Sequence, residues 1–504
     1  MKVRNPRTGA HDYSIAPAGD AEVRAIAGRL RAAQPAWAAL GPEGRATVLE
    51  RFAQAVERHA EAIIAALTID TGRHAVSRIE VEGLPRTIRR WAARGQQLMA
   101  GLDAGETPSA MPGIVLKGRS IPYPLFGAIA PWNFPVVLSH IDAIPALMAG
   151  CAALVKPSEV TPRFVAPMQA ALAEVPELAA VFAYVLGGAE TGQALIGAVD
   201  YVCFTGSTVT GRKVAEAAAR ALIPANLELG GKDPMIILPG ADPVAAARIA
   251  LRASVVATGQ ACQSIERVYV PREVAEPFLA ELVARAAEVR PNWPDIEVGE
   301  IGPFIFADQA AKVAAQIDDA LARGARLLAG GKPEQLGGGW YMRPTVLADV
   351  TPDMAVMAEE TFGPVIPVTL YDDVDAAVRL ANDSIYGLSA AVVGPRADAE
   401  AVAARLEAGA VSINDGALTS MVWDATNSSQ KLSGLGPSRM GDEGLLRFFR
   451  RQALIIQTGQ PLPLAAYAER SSASGAERSS ASGAERSSAS GAERSSASGA
   501  DQGR

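Results

Sequence analysis

Cys262 lies in TGQACQSIERVYV, three residues after Gly259, which suits a tight turn, and just ahead of a strand that begins near Arg267. Gln260, Gln263 and Ser264 surround it, a polar loop rather than an apolar core. A thiol in such a loop can act as a nucleophile once it is ionised. The other two cysteines, Cys151 and Cys203, are embedded in apolar sequence and read as small buried hydrophobes. Glu228, in NLELGGKDP, stands directly before a Gly-Gly pair at the junction of two sequence blocks. It reads either as a surface or capping carboxylate or as a general base at an interdomain cleft. Asn133, in APWNFP, follows the apolar run GAIA, and Pro131 and Pro135 fix the backbone on either side. Its side-chain amide is either an ordinary turn amide or an oxyanion donor held rigidly at a strand end.

A second set of residues suits a dinucleotide. In FTGSTVTGRKV (204–214) an apolar strand runs into Gly206 and a helix begins near Ser207, with Gly211 one turn on. The spacing is not a strict GxGxxG, but backbone N–H groups at that helix start favour a pyrophosphate. KPSE (156–159), after the run AALV, places Lys156 and Glu159 at another strand end. A carboxylate there can accept both hydrogen bonds of an adenosine ribose.

The elements that must carry these groups follow from periodicity. Residues 20–99 show apolar side chains at three- and four-residue spacing and read as helices. From Gly127 onward short apolar runs (GAIA, AALV, FAYVL, YVCF and MIIL) alternate with helical stretches. A second alternating block spans about 242–418, with strands near RVYV, ARLLAG, VIPVTL, SAAVVG and AVSIN. Such alternation predicts α/β architecture with two doubly wound, Rossmann-like domains. The expected division is 1–112 with 128–235 for the dinucleotide and 236–450 for catalysis. The extended stretch 113–127 and the strand at 451–460 lack partners in their own domains. They are expected to pair across subunits, giving a homodimer or homotetramer.

The chain has 504 residues, and 47 Lys+Arg against 54 Asp+Glu give a net charge of −7. That balance argues against a nucleic-acid partner, which needs clustered positive charge. Three cysteines cannot form a disulfide framework, so a reducing compartment is the default. The N-terminus shows no apolar signal region, and the most apolar stretch, 136–155, contains His140, Asp142 and Pro145. The expectation is a cytoplasmic protein with no membrane partner. The octapeptide ERSSASGA recurs four times from Glu469, and its Arg and acidic residues cancel. With almost no large apolar side chain, 469–504 reads as a disordered tail.

Seven motifs then fall in order: PWNFP at 131, KPSE at 156, FTGS at 204, LELGGK at 227, GQAC at 259, EETFGPV at 359 and SGLG at 433. From about Asn5 to Gln457 the chain resembles the aldehyde dehydrogenase superfamily. The resemblance implies oxidation of a small aldehyde through a thioester on Cys262. Asn133 and the Cys262 N–H would hold the oxyanion, and Glu228 would activate the hydrolytic water. Relatives that pass the acyl group to coenzyme A tend to lack that Glu, so its presence implies a free acid product. The same resemblance implies that Lys156 and Glu159 bind the adenosine ribose, and Ser207 with the Gly206 loop the pyrophosphate. Glu360 would bind the nicotinamide ribose, Phe362 would pack on the nicotinamide, and Trp132 would lie on the cofactor side. Glu159 repels a 2′-phosphate, which favours NAD over NADP, with NADP possible. No metal is implied.

Two stretches depart from the family pattern. DGALTSMVWDATNSSQ (415–430) lacks the usual PFGG, and SGLGPSRMGDEGLLRFF replaces the common SGxGRE form. Met421 and Trp423 could line an apolar pocket or pack at a domain edge, and no Arg pair marks a semialdehyde carboxylate. A medium-chain or aromatic aldehyde is the resulting expectation. The alternative is a catalytically reduced relative acting as a scaffold through its repetitive tail.

Overall fold

The computed structural model describes residues 1–103 and 105–469. The repeats from Arg470 onward, and with them nearly all of the tail expected to be disordered, lie outside the described residues. Four helices, Asp20–Ala39, Gly41–Arg58, Ala60–Thr71 and His74–Ala100, fill the region where the apolar spacing is helical. Their apolar faces (Leu30, Leu49, Phe52, Leu67 and Ile88) are buried in the first core.

The first sheet is built from β1 (Leu125–Ile129), β2 (Ala152–Lys156), β3 (Phe182–Tyr184), β4 (Tyr201–Thr205) and β5 (Ala225–Glu228). Its order is β5-β4-β1-β2-β3, all parallel, with the short strand Gly434–Leu435 antiparallel on the β5 edge. Ile129 is level with Lys156 and with Phe204, and Thr205 with Glu228. The residues that follow these strands therefore leave from one carboxyl edge, where open α/β sheets place their ligands. Cys151 and Cys203 are both buried in this core, as their apolar settings imply.

The second sheet contains β6 (Asp233–Ile237), β7 (Ile265–Pro271), β8 (Arg326–Ala329), β9 (Thr345–Ala348), β10 (Val365–Tyr371), β11 (Ser389–Val393) and β12 (Ala410–Ile413). Its order is β8-β9-β10-β7-β6-β11-β12. All pairs are parallel except β8 with β9, an antiparallel edge. Separate apolar clusters cover its two faces. That burial on both sides explains why the central residues of β6, β7 and β11 (MII, VYV and AAVV) are consecutive apolar residues rather than alternating ones.

Three expectations need correction. The run MIIL lies in β6, at the centre of the second sheet, so the crossing falls between Glu228 and Asp233 rather than at 235/236. Residues 434–448, grouped by sequence with the second block, return to the first. Gly434 pairs with Glu228, and Leu445 and Phe448 join the first core. A two-residue strand leaves no run of apolar residues for a sequence reading to detect. Finally, the strands Ile114–Pro122 and Phe449–Gln457 are not unpartnered. They pair with each other and with Thr107–Pro108 in a three-stranded sheet. Residues 105–117 and 453–469 belong to a second compact unit. The two long strands are far apart in sequence, which hid their pairing. No helix among the described residues is long and apolar enough to cross a membrane.

Candidate active site

The four residues between β5 and β6 set the geometry. Glu228 ends β5 at the carboxyl edge of the first sheet, and Leu229-Gly230-Gly231-Lys232 carry the chain to the amino end of β6. Asp233 is level with Ile265 of β7, so the loop before β7, with Cys262, borders the same crossing. The next strand, β10, is preceded by Glu360 and Phe362.

Two glycines permit the close approach. A Cβ on Gly231 would stand 2.7 Å from the Cys262 carbonyl oxygen, and one on Gly230 would stand 2.7 Å from Glu360 Oε1. The Gly231 N–H donates to Glu360 Oε1 at 3.2 Å. The glycine pair thus brings Cys262 and Glu360 to the strand end that bears Glu228.

The cysteine loop is locked from several sides. Ala257 and Thr258 both adopt left-handed backbone (φ 57° and 62°), unusual for side-chain-bearing residues. Gln260 is fully buried. Its Oε1 accepts the Ile305 N–H at 2.9 Å, and its Nε2 donates to Ala257 O at 3.3 Å and Pro303 O at 3.2 Å. Thr258 Oγ1 donates to Gly302 O at 3.0 Å. The strained turn is thereby fixed, and Cys262 is left half-buried beyond it.

Asn133 is buried where the loop after β1 meets this turn. Its Nδ2 donates to the Gln260 carbonyl at 3.0 Å. An amide group carries two N–H donors, so one remains for a ligand. Arg73, itself buried, donates to Asn133 O at 2.5 Å and Ala257 O at 3.3 Å, tying both loops together. Glu80 accepts the N–H groups of Val136 and Val137 at 3.1 and 3.3 Å, anchoring the helix Pro135–His140 that begins just after PWNF.

Electrostatically the site is rich in carboxylates. Burial, with Asp233, Glu360 and Glu228 nearby, pushes the Cys262 thiol up to about 12. Burial and the neighbouring Glu266 push Glu360 up to about 7. A nucleophilic thiol here therefore needs added positive charge or a base to ionise at neutral pH. Glu228 Oε2 accepts the Ser429 hydroxyl at 2.8 Å, and Arg439 Nε stands 3.8 Å from Oε1.

The remaining sequence candidates lie on the first sheet's carboxyl edge or beside β10. Lys156, buried at the end of β2, donates to Glu159 Oε2 at 3.1 Å. Ser207 caps the helix Thr208–Ala221, accepting the Thr210 N–H at 3.3 Å. The N–H groups of Thr208 and Val209 precede any intrahelical acceptor, the arrangement that suits a phosphate. The Gly206 N–H donates to Glu228 O at 3.0 Å, and a Cβ on Gly206 would meet the Phe204 ring at 2.5 Å. Gly211 is packed against the Leu229 side chain, so its lack of a Cβ serves helix–strand packing. Trp132 meets Phe362 edge-on, with ring centroids 5.4 Å apart. Met421 is exposed, and the Trp423 ring faces the Arg90 guanidinium at 5.9 Å.

Residues that the sequence reading passed over are Arg73, Glu80, Glu266, Ser429 and Arg439. Arg439 and Ser429 lie in or beside the two stretches whose motifs depart from the family, which is the one signal that pointed toward them. Glu80 and Glu266 lie in ordinary helix and strand sequence, and Arg73 in the short connection between two helices.

Two parallel sheets sharing a carboxylate-rich crossing, with a helix-capped glycine loop on one and a cysteine loop on the other, define a dinucleotide-dependent oxidoreductase architecture. The Aldehyde dehydrogenase family model matches residues 1–454, and the chain belongs to that family. A Mycolicibacterium smegmatis protein provisionally named succinate-semialdehyde dehydrogenase [NADP(+)] is 37% identical over 449 residues, 88% of this chain and 86% of its own length. The structure of a provisionally assigned aldehyde dehydrogenase from Anabaena variabilis is 49% identical, with TM-score 0.89, covering 92% of this chain and 99% of that one. Escherichia coli lactaldehyde dehydrogenase is 30% identical, with TM-score 0.85, covering 91% and 95%. The chain is an NAD(P)-dependent aldehyde dehydrogenase, and its mixed α/β fold with Rossmann-like sheets is that of the family.

Proposed function

We propose that the chain oxidises an aldehyde to the free carboxylic acid through a thioester on Cys262, which water activated by Glu228 then hydrolyses. The observation that carries this reading is the Gly230-Gly231 crossing, which brings Cys262 to the strand end bearing Glu228. Cys262, ionised by loss of its thiol proton to solvent, bonds through Sγ to the aldehyde carbon as the C=O π pair moves onto oxygen. The free N–H of Asn133 and the Cys262 N–H receive that oxyanion, and a single donor of this kind contributes roughly 3–4 kcal/mol. NAD(P), when bound, supplies the hydride acceptor and a positive charge. Collapse of the oxyanion expels the hydride and leaves the acyl group on sulfur. Glu228 takes a proton from water as its oxygen attacks the acyl carbon, and Cys262 leaves as thiolate.

The residues fit a dinucleotide. The start of the helix Thr208–Ala221 suits the pyrophosphate, the Lys156–Glu159 pair the adenosine ribose, and Glu360 the second ribose, with Phe362 and Trp132 against the nicotinamide. Glu159 would repel a 2′-phosphate, which supports NAD as the preferred form, although the Mycolicibacterium relative is named for NADP(+). The proposed aldehyde is apolar, medium-chain or aromatic, a reading that rests on the residue types of Met421 and Trp423 in the stretch 415–430.

Glu228→Gln tests the mechanism. A retained burst of NADH with collapsed steady turnover supports it, and undiminished turnover removes Glu228 from the reaction. An aldehyde panel including succinate semialdehyde, betaine aldehyde and lactaldehyde, run with NAD and with NADP, tests the substrate and cofactor readings.

A further inference from the structure

The residues that surround Glu228 from the C-terminal stretch form a buried charge cluster that the steps above do not use. Asp142 accepts Arg447 Nη2 at 2.5 Å and Arg439 Nη2 at 2.8 Å, and Arg439 Nη2 also donates to Thr205 Oγ1 at 2.8 Å. All three charged side chains are more than nine-tenths buried. Two guanidinium groups share one carboxylate, so the cluster holds one positive charge more than Asp142 neutralises.

That surplus faces Glu228. Arg439 Nε is buried without a hydrogen-bond partner, and Glu228 Oε1 lies 3.8 Å from it. This is about 1 Å beyond hydrogen-bond length, so a small rotation of Glu228 would make or break the contact. A buried guanidinium N–H with no acceptor is costly, and closing that gap relieves it. The other oxygen, Oε2, is already tethered by the Ser429 hydroxyl at 2.8 Å. Each Glu228 oxygen thus has one neighbour from the segment 429–439.

The charged and titratable groups around the pair come from several elements. Asp142 and Arg447 lie behind Arg439, Cys203 comes from β4, and Cys262 from the loop before β7. Asp233, Glu360 and Glu228 all push the Cys262 thiol up, and Arg439 pulls it down. A site that must hold an oxyanion, a thiolate and an ionised Glu228 in turn needs such a cation.

We infer that Arg439 is a positioning residue for Glu228: fixed by Asp142 and Thr205, it draws the carboxylate into its water-activating orientation while Ser429 holds the second oxygen. The inference rests on the reading of Glu228 as the general base.

The test compares Arg439→Met, Arg439→Lys and Glu228→Gln in the full chain, by NADH burst amplitude and by kcat and KM in steady turnover. Arg439→Met is expected to keep the burst and KM and to lose on the order of tenfold in kcat. Arg439→Lys keeps a cation without the Nε and is expected to show a smaller loss in kcat with an intact burst, which carries the test if the Met variant fails to fold. A kcat equal to that of the unmodified enzyme in the Arg439 variants overturns the inference. If Glu228→Gln collapses turnover while the Arg439 variants turn over normally, the inference alone fails. If Glu228→Gln turns over normally, the general-base reading fails and takes the inference with it.

Discussion

Phe362 donates its backbone N–H to Glu266 Oε1 at 2.7 Å, and so an interior carboxylate of β7 fixes a ring proposed to meet the cofactor. The same carboxylate accepts the Thr361 N–H at 2.8 Å and pairs with Lys232 Nζ at 2.7 Å, in a fully buried setting. Phe362 has left-handed backbone (φ 54°), a conformation its two-sided anchoring must sustain. From the other side, Lys312 Nζ donates to Glu360 O at 2.8 Å.

Glu266→Ala is therefore expected to act twice. It strands the buried Lys232 ammonium, at a cost of about 3–5 kcal/mol of stability. It also releases the 361–362 turn, so NAD(P) affinity is expected to fall roughly tenfold, the equivalent of about one lost hydrogen bond to a charged group. Thermal unfolding and calorimetric titration with NAD and NADP check the two effects separately. Unchanged affinity in a destabilised variant would show that the turn is held without Glu266.

Asn133→Ala removes a side-chain amide that donates to the turn before Cys262, at the Gln260 carbonyl. Loss of an oxyanion donor is expected to lower the hydride-transfer rate by about 10²–10³-fold. Stopped-flow NADH formation is the measurement, because the effect must appear in the burst rate and not only in steady turnover. Asn133→Asp, which puts an acceptor where a donor is needed, is expected to be at least as slow.

What the sequence made legible, and what it did not, follows from how local each feature is. Cys262, Glu228 and Asn133 announce themselves because each stands in a short stretch of unusual composition: a polar loop, a Gly-Gly junction and a Pro-flanked turn. Most strands of both sheets are legible as short apolar runs, but β5 (ANLE) mixes apolar with polar residues and β9 (TVLA) is only four residues long, and neither is among the strands read from the sequence. Gly434–Leu435 and the pairing of 114–122 with 449–457 were not legible either, since two residues show no period and long-range pairing leaves no local mark. Arg73 and Glu266 were hidden for a different reason. Their partners are backbone groups distant in sequence (Asn133 O and Ala257 O for Arg73, the amides of 361 and 362 for Glu266), and no residue pattern reports such bonds.

Glu80 offers a check through pH. Burial pushes its carboxyl from 4.5 up to about 7, with Arg73 and the Val136 and Val137 amides pulling the other way. A carboxyl whose folded-state value is raised favours the folded protein below about pH 4.5, and that contribution is lost as pH rises through about 7. Glu80→Gln keeps a carbonyl acceptor for the two amides and cannot ionise. It is expected to flatten the loss of stability between pH 4.5 and 7 that Glu80 causes, as read from denaturant midpoints across that window. A variant whose stability keeps the original slope would show that Glu80 does not titrate there.

Cys262 should be unreactive in the cofactor-free enzyme at neutral pH. Its thiol is held up at about 12 by burial and by three carboxylates, so only a minute thiolate fraction exists at pH 7. Iodoacetamide labelling of residue 262 is expected to quicken steadily from pH 7 to 10 with no plateau, because each pH unit below the midpoint multiplies the thiolate fraction about tenfold. Saturating NAD brings a positive charge and is expected to raise the rate at pH 7. Cys151 and Cys203, both buried, are expected to stay unlabelled throughout, which peptide mapping would confirm. A labelling rate that levels off near pH 8 without cofactor would mean that the chain ionises the sulfur unaided, and the carboxylate cluster would then not control it.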